Sequence, residues 1–215
     1  MGEVHPLWRP YETPTPEEIR RAQVGGRTPV PGGLVEVAAP DPTWPARYDE
    51  AARQVREALG ERVLDLQHVG STSVAGLDAK PVIDLDLTVA DSADEASYLP
   101  DLETAGFTLR VREPDWEEHR CLRGDDPVCN LHVFSPGAVE PQRHRAFRDW
   151  LREHDDDREA YAALKRDLAT RPFDSVMDYN AEKGALVYEI YERIFAADPE
   201  HPHTPQPLGR AATAG

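Results

Sequence analysis

The sharpest pattern in the chain is an alternation of apolar and polar positions. From Val82 to Val89 the residues read Val-Ile-Asp-Leu-Asp-Leu-Thr-Val, and a period of two predicts a strand with Ile83, Leu85, Leu87 and Val89 on one face and Asp84, Asp86 and Thr88 on the other. Val63 to Val69 reads as an earlier strand that runs into the turn-forming stretch Gly70-Ser71-Thr72-Ser73. Trp44, Tyr48, Ala52, Val55 and Leu59 recur at helical spacing, with Gly60 as the stop. Leu34 to Val37 is expected to form a short edge strand. After the acidic strand, Ala93 to Ala105 predicts a helix interrupted near Pro100 and ended by Gly106. Phe107 to Arg112 predicts a strand, and His119 to Arg123 with Val128 to Phe134 a hairpin. If Gly124 to Pro127 closes that hairpin as a four-residue loop, Cys121 and Cys129 fall on opposite faces, and His119 stands opposite His132. From Pro141 onward the period is helical, with Phe147, Trp150 and Leu151 in one helix, Tyr161, Leu164 and Leu168 in a second, and Val187, Ile190, Ile194 and Phe195 in a third.

Proline and glycine crowd residues 1–33, where only Thr15 to Val24 is helical, opened by a capping Thr15 ahead of Pro16, Glu17 and Glu18. This stretch reads as a semi-extended arm whose Trp8 and Tyr11 either dock on the core or stay free. Residues 34–197 read as one domain, with a sheet core over 34–140 and a helical part over 141–197. The Pro-, His- and Ala-rich residues 198–215 read as a disordered tail, in which His201 and His203 offer at most an adventitious metal contact.

Composition narrows the partners. Forty percent of the 215 residues are hydrophobic, enough for a globular core, and 24 basic against 40 acidic residues leave a net charge of −16. Such a field repels a polynucleotide backbone, so nucleic acid is not expected as a partner. No apolar run approaches 18 residues and the start lacks a signal-peptide pattern, which predicts a soluble, cytoplasmic chain with no membrane partner. Two cysteines on opposite strand faces fit a reducing compartment.

The chemistry concentrates where the alternation is. Two carboxylates side by side on a half-buried strand repel one another, and they persist only if water, a cation or a divalent metal compensates them. Oxygen ligands of this kind suit Mg²⁺, which keeps its remaining positions for water and phosphate. The backbone N–H groups and hydroxyls of Gly70, Ser71, Thr72 and Ser73 can turn toward an anion. Hydrophobic-Gly-Ser followed by hydrophobic-Asp-hydrophobic-Asp-hydrophobic resembles the signature of the DNA polymerase β-like nucleotidyltransferase superfamily. His68 to Leu77 and Ala79 to Asp84 resemble the hallmark segment of its GrpB (UPF0157) branch, as do Asp41 to Pro45, Phe147 to Arg152, Tyr161 to Lys165, and Tyr179 with Lys183. The resemblance runs from Leu34 to Phe195.

It implies an α+β fold: a minimal nucleotidyltransferase-type mixed sheet backed by helices, with a C-terminal helical bundle closing one side of a cleft. It also implies that Asp84 and Asp86 hold Mg²⁺ while Gly70 and Ser71 hold the phosphates of ATP or another nucleoside triphosphate, for transfer to a small-molecule or protein acceptor. Family domains also occur fused to dephospho-CoA kinase, which points toward nucleotide or coenzyme metabolism. The superfamily's third acid should fall on the hairpin, where Cys129-Asn130-Leu131-His132-Val133 stands instead. His132 is then a base, a metal ligand or a hydrogen-bonded core histidine, and Asn130 on the same face either orients substrate or pairs with backbone. Lys80, Arg123, Arg148, Lys165 and Lys183 are candidate phosphate partners, with solvated or salt-bridged surface positions as the alternative for each; Tyr179 either stacks on a base or packs in the core. The missing acid keeps open a noncatalytic nucleotide- or metabolite-binding module, and an ATP-dependent amide-forming enzyme is a third reading.

Overall fold

A computed structural model of the protein describes residues 3–12, 14–25, 33–174 and 176–208. Along them run α1 (Pro16–Ala22), α2 (Trp44–Leu59), β1 (Asp65–Val69), β2 (Ile83–Thr88), α3 (Leu99–Thr104), β3 (Phe107–Glu113), β4 (His119–Asp125), β5 (Val128–Phe134), α4 (Glu140–Glu153), α5 (Asp155–Ala169) and α6 (Val176–Ala197). This is the expected α+β class. The strands form one mixed sheet in the order β1-β2-β5-β4-β3, in which β2 and β5 are parallel and every other pair is antiparallel. Among the described residues no helix is long and apolar enough to cross a membrane.

The alternation read from the sequence divides the sheet between two tasks. Ile83, Leu85 and Leu87 are at most 1% exposed and pack with Leu122, Leu131 and Val133 against Ala51, Ala52, Val55 and Leu59 of α2 and Leu102 of α3. At about 25 cal/mol per Å² of apolar surface, each such fully buried side chain contributes roughly 1.5–3 kcal/mol. The opposite face carries Asp84, Asp86, Asn130 and His132. Because β2 and β5 run parallel in register, Asp84 pairs with Asn130 and Asp86 with His132. The polar residues of two strands distant in sequence are thereby set side by side.

A second apolar cluster joins the helical part to the sheet. Val74 and Leu77, just past the Gly70 turn, are buried with Leu151 of α4, Tyr161 and Ala162 of α5 and Ile190 of α6. The turn is therefore the plug on which three helices close, and this packing holds the helices over the polar sheet face.

The hairpin differs from expectation. β4 continues through Asp125 and β5 begins at Val128, so the loop is the two residues Asp126 and Pro127, and Cys121 rather than His119 stands opposite His132. Gly124 lies within the strand because Cys129 Sγ and the Phe107 ring occupy the space a side chain would need. The slip is two residues, which preserves the faces: Cys129 is buried in the core cluster, Cys121 is on the polar face, and both thiols are free. Residues 34–37 do not form an edge strand either. Leu34 bridges to Pro172 and Ala38 to Ala79, so two unrelated loops hold the segment and no ladder can propagate.

The arm is docked rather than free. Trp8 Nε1 donates to Tyr188 Oη and Glu192 Oε1 of α6, at 3.2 and 3.0 Å, and Tyr11 Oη donates to Ala181 O at 3.2 Å. Gly184 in α6 exists to admit the Tyr11 ring, since a Cβ there would collide with it. Further on, α1 carries a complete Thr15/Glu18 capping box, and Val24 N donates to Arg110 O, so the arm ends against the β3 edge. Part of the expected tail, 198–208, is also in contact: His5 Nε2 lies 3.0 Å from Asp198 Oδ2, His203 Nε2 lies 2.9 Å from Glu192 Oε2, and Thr204 N donates to Glu3 O. Paired histidine and carboxylate side chains at both ends are what the composition alone did not reveal. Residues 26–32 of the arm and 209–215 of the tail lie outside the described residues.

Candidate functional site

The site is built where the turn after β1 meets the start of β2. Val69 is paired with Asp84, so Gly70 lies directly against the Asp84 side chain. Its φ is +68°, and a Cβ there would also collide with the Asp84 carboxylate; only glycine satisfies both conditions. Ser71 to Ser73 then form one turn of 3₁₀ helix. Ser73 Oγ donates to Gly70 O at 2.5 Å, and Thr72 Oγ1 sits 3.1 Å from His68 Nε2. Those two hydroxyls thus hold the turn together, while Ser71 Oγ turns toward α5 and accepts from Lys165 Nζ at 3.1 Å. Gly70, Ser71, His144, Phe147, Arg148 and Tyr161 are among the residues lining a pocket of about 280 Å³.

The two acids share a strand face but not an environment. Asp86 is 3% exposed, and its oxygens lie 2.9 and 3.2 Å from His144 Nδ1 on α4. Burial, the largest influence on each, opposes its charge, yet the mutual attraction outweighs it: the Asp86 carboxyl is held below its ordinary value and the His144 imidazole is raised to about 9. Glu140 Oε1, 3.5 Å from His144 Nε2, adds to the attraction. Asp84 is 31% exposed. Its Oδ1 accepts from Asn130 Nδ2 at 2.8 Å, and Asn130 Oδ1 in turn accepts from Arg123 Nη1 at 3.1 Å.

His132 faces Asp84 Oδ1 from 4.0 Å through Nε2. Its Nδ1 lies 3.0 Å from His119 Nε2, and His119 Nδ1 lies 2.7 Å from Glu113 Oε2. Burial, with the neighbouring His119 adding to it, pushes the His132 pKa down to about 4, so the ring is neutral near pH 7.

Three lysines gather at the other side of Asp84. Lys165, 2% exposed, donates to Ser71 Oγ and Asp78 O and stands 4.5 Å from the centre of the Tyr161 ring. Lys80 and Lys183 flank the buried Tyr179 ring at 5.4 and 4.7 Å. Burial lowers all three, to about 7 for Lys165 and about 8 for the other two, and mutual repulsion with Lys183 adds to the effect on Lys80 and Lys165. The carboxylate that acts on Lys80 and Lys183 is Asp84. Arg148 lines the pocket but spends its guanidinium on His68 O and Asp149, and Arg152 donates twice to Ser73 O. Arg148 therefore ties α4 to the end of β1, and Arg152 ties it to the Gly-Ser turn.

Of the residues expected at the site, Gly70, Ser71 and Arg148 line the pocket, Asp84 lies against Gly70 and His132 against Asp84, Lys165 reaches Ser71, Asp86 is turned to His144, Lys80 and Lys183 stand at Tyr179, and Thr72 and Ser73 brace the turn. A divalent cation fits Asp84: the carboxylate is partly open, lies beside a turn without a Cβ, and faces a neutral imidazole nitrogen. Asp86 fits less directly, because His144 already neutralises it. His144 was absent from the sequence reading. Its four-residue spacing with Arg148 and Arg152 was the available signal, a basic stripe on the face of α4 that meets the sheet.

A mixed five-stranded sheet with paired acids on one face, a Gly-Ser turn beside them and a three-helix cover defines an α+β domain with a polar cleft. Residues 34–193 match the family described as GrpB protein, and the chain belongs to it. Among its relatives are a UPF0157 protein of Halalkalibacterium halodurans, 48% identical over 182 residues that cover 85% of this chain and 93% of that protein, and one of Streptomyces coelicolor, 38% identical over 81% and 90%. A dephospho-CoA kinase of Mycolicibacterium paratuberculosis is 28% identical over 88% of this chain and 51% of its own length. The crystal structure of conserved protein GrpB from Enterococcus faecalis is similar, with a TM-score of 0.64 and 29% identity over 74% of this chain and 97% of that one.

Proposed function

We propose that this GrpB-family protein binds a nucleoside triphosphate with Mg²⁺ and transfers its nucleotidyl group to a small-molecule or protein acceptor. The observation that carries the reading is the contact between Gly70 and Asp84, with Lys165 on Ser71 and two half-buried lysines, Lys80 and Lys183, within the electrostatic reach of Asp84. One buried and two half-buried lysines near Asp84 are the arrangement a polyphosphate would complete, since its negative charge favours the protonated form that burial disfavours. A bound divalent cation would supply charge neutralisation at the phosphates and align the attacking and leaving oxygens. Asp84, oriented by Asn130 and Arg123, would hold it, and Asp86 would join only as His144 gives way. Ser71 and Lys165 would bind the terminal phosphates, and the helices above the turn would exclude water.

The match to about half of a dephospho-CoA kinase agrees with an acceptor drawn from nucleotide or coenzyme metabolism. A second reading, a binding module without turnover, is favoured by the absence of a third acid at His132 and by the occupied Asp86. Labelled ATP, Mg²⁺ and a metabolite extract separate the two. Pyrophosphate release that Asp84→Asn abolishes supports transfer; retained nucleotide binding with no pyrophosphate, in both the parent and His132→Asp, supports the module. AMP appearing together with a new amide would indicate adenylation instead.

A further inference from the structure

We propose that Glu113 and His119 are positioning residues that fix His132 as a nitrogen ligand for the cation held by Asp84, and that the site consequently selects Mn²⁺ over Mg²⁺. The inference rests on the metal part of the proposed function, not on the transfer of a nucleotidyl group.

Hydrogen-bond chemistry sets the direction of the chain. A carboxylate only accepts, so His119 Nδ1 donates its proton to Glu113 Oε2 across 2.7 Å. With that proton committed to Glu113, His119 Nε2 is the acceptor across 3.0 Å from His132 Nδ1–H. His132 is left with an unprotonated Nε2, and that lone pair is the one facing Asp84 Oδ1 at 4.0 Å. Donation in the opposite sense, from His119 Nε2 to His132 Nδ1, would put a proton on His132 Nε2. A cation beside Asp84 would repel that state and select the first.

The surroundings hold the two rings in this relation. They stack with centroids 5.2 Å apart, and His119 also stacks on Phe134 at 4.9 Å. Trp116 packs edge-on to His119 at 5.3 Å. His119 is 5% exposed, so the direction of its hydrogen bonds is set inside the protein rather than by solvent. The order carboxylate, imidazole, metal-facing imidazole is a longer version of the arrangement by which a buried acid fixes the tautomer of a ligating histidine. A nitrogen donor in place of a third carboxylate moves the donor set away from the all-oxygen sites that suit Mg²⁺ and toward the first-row transition ions, of which Mn²⁺ binds nitrogen most weakly and is therefore the stringent probe.

The test uses the full chain and Mn²⁺ alone, without nucleotide. Titration followed by electron paramagnetic resonance should show one Mn²⁺ bound at least tenfold more tightly than Mg²⁺ competes for it, with a nitrogen-14 coupling from a directly bound imidazole. Asp84→Asn should abolish binding. His132→Asp should keep a bound ion and lose the nitrogen coupling. Glu113→Gln, at a partly exposed position that does not threaten folding, should weaken Mn²⁺ roughly 10–100-fold. The inference is overturned if the bound ion shows no nitrogen coupling, if Glu113→Gln leaves affinity unchanged, or if Mn²⁺ does not bind. A nitrogen-coupled Mn²⁺ in a protein that forms no pyrophosphate upholds it while the transferase reading fails; pyrophosphate formation on a Mg²⁺ centre without nitrogen does the reverse.

Discussion

Asp86 on β2, which is buried, and His144 on α4, which is half-buried, form a charge pair that joins the sheet to the helical cover across the cleft. Removing His144 leaves the Asp86 charge buried and unpaired, a change that costs about 3 kcal/mol. Urea unfolding of His144→Ala at pH 7 should show a loss of that order.

The same pair dictates a pH signature. His144 is raised to about 9 from an ordinary value near 6.5, so its contribution is complete below about 6.5 and lost as pH rises through 9. Asp86 is lowered, so its contribution is present above the ordinary carboxylate value and lost as pH falls through the lowered one. The difference in unfolding free energy between parent and His144→Ala should therefore be greatest between about pH 5 and 7 and shrink toward both pH 3 and pH 10. A difference that stays constant across that range would contradict the pairing.

Gly70→Ala meets two obstacles, a positive φ and the Asp84 carboxylate. Strain of this kind costs about 1–3 kcal/mol. Thermal unfolding should register that loss, and binding of inorganic triphosphate, measured calorimetrically, should fall by more than tenfold.

Lys165, lowered to about 7 chiefly by burial, is only partly charged at pH 8. A polyphosphate that raises its pKa must take up protons as it binds. Calorimetry of triphosphate binding at pH 8 in buffers of different ionisation heat should show net uptake, reduced in Lys165→Met. An uptake unchanged by that substitution would place the anion elsewhere.

Glycine to alanine inside a helix ordinarily stabilises by roughly 1 kcal/mol. At Gly184 the sign should invert, because the new methyl meets the Tyr11 ring. Hydrogen exchange should accelerate over residues 3–12 while the β2 and β5 amides keep their protection.

Much of this arrangement was legible in the chain because it depends on period and spacing. The alternation through Asp84 and Asp86 fixed which residues face the core, and the Gly70-Ser71 spacing pointed to the turn beside them. The hairpin register was missed by two residues, because Gly124 reads as a turn former until the Phe107 ring that displaces any side chain is known. Glu113 and His144 were invisible for a different reason. Each acquires its role only when another element, β4 in one case and β2 in the other, is brought against it, and no local pattern encodes such long-range partners. The docked arm and tail belong to the same class: polar contacts between opposite ends of the chain leave no periodic trace.

The hydrogen bond from Thr204 to Glu3 has a practical corollary. Backbone positions 201 residues apart in sequence are adjacent in space, so a brief linker between them would yield a circularly permuted protein, reopened at the Asp126-Pro127 loop. New termini there would let a reporter be attached at the far tip of the hairpin while the cleft keeps its shape.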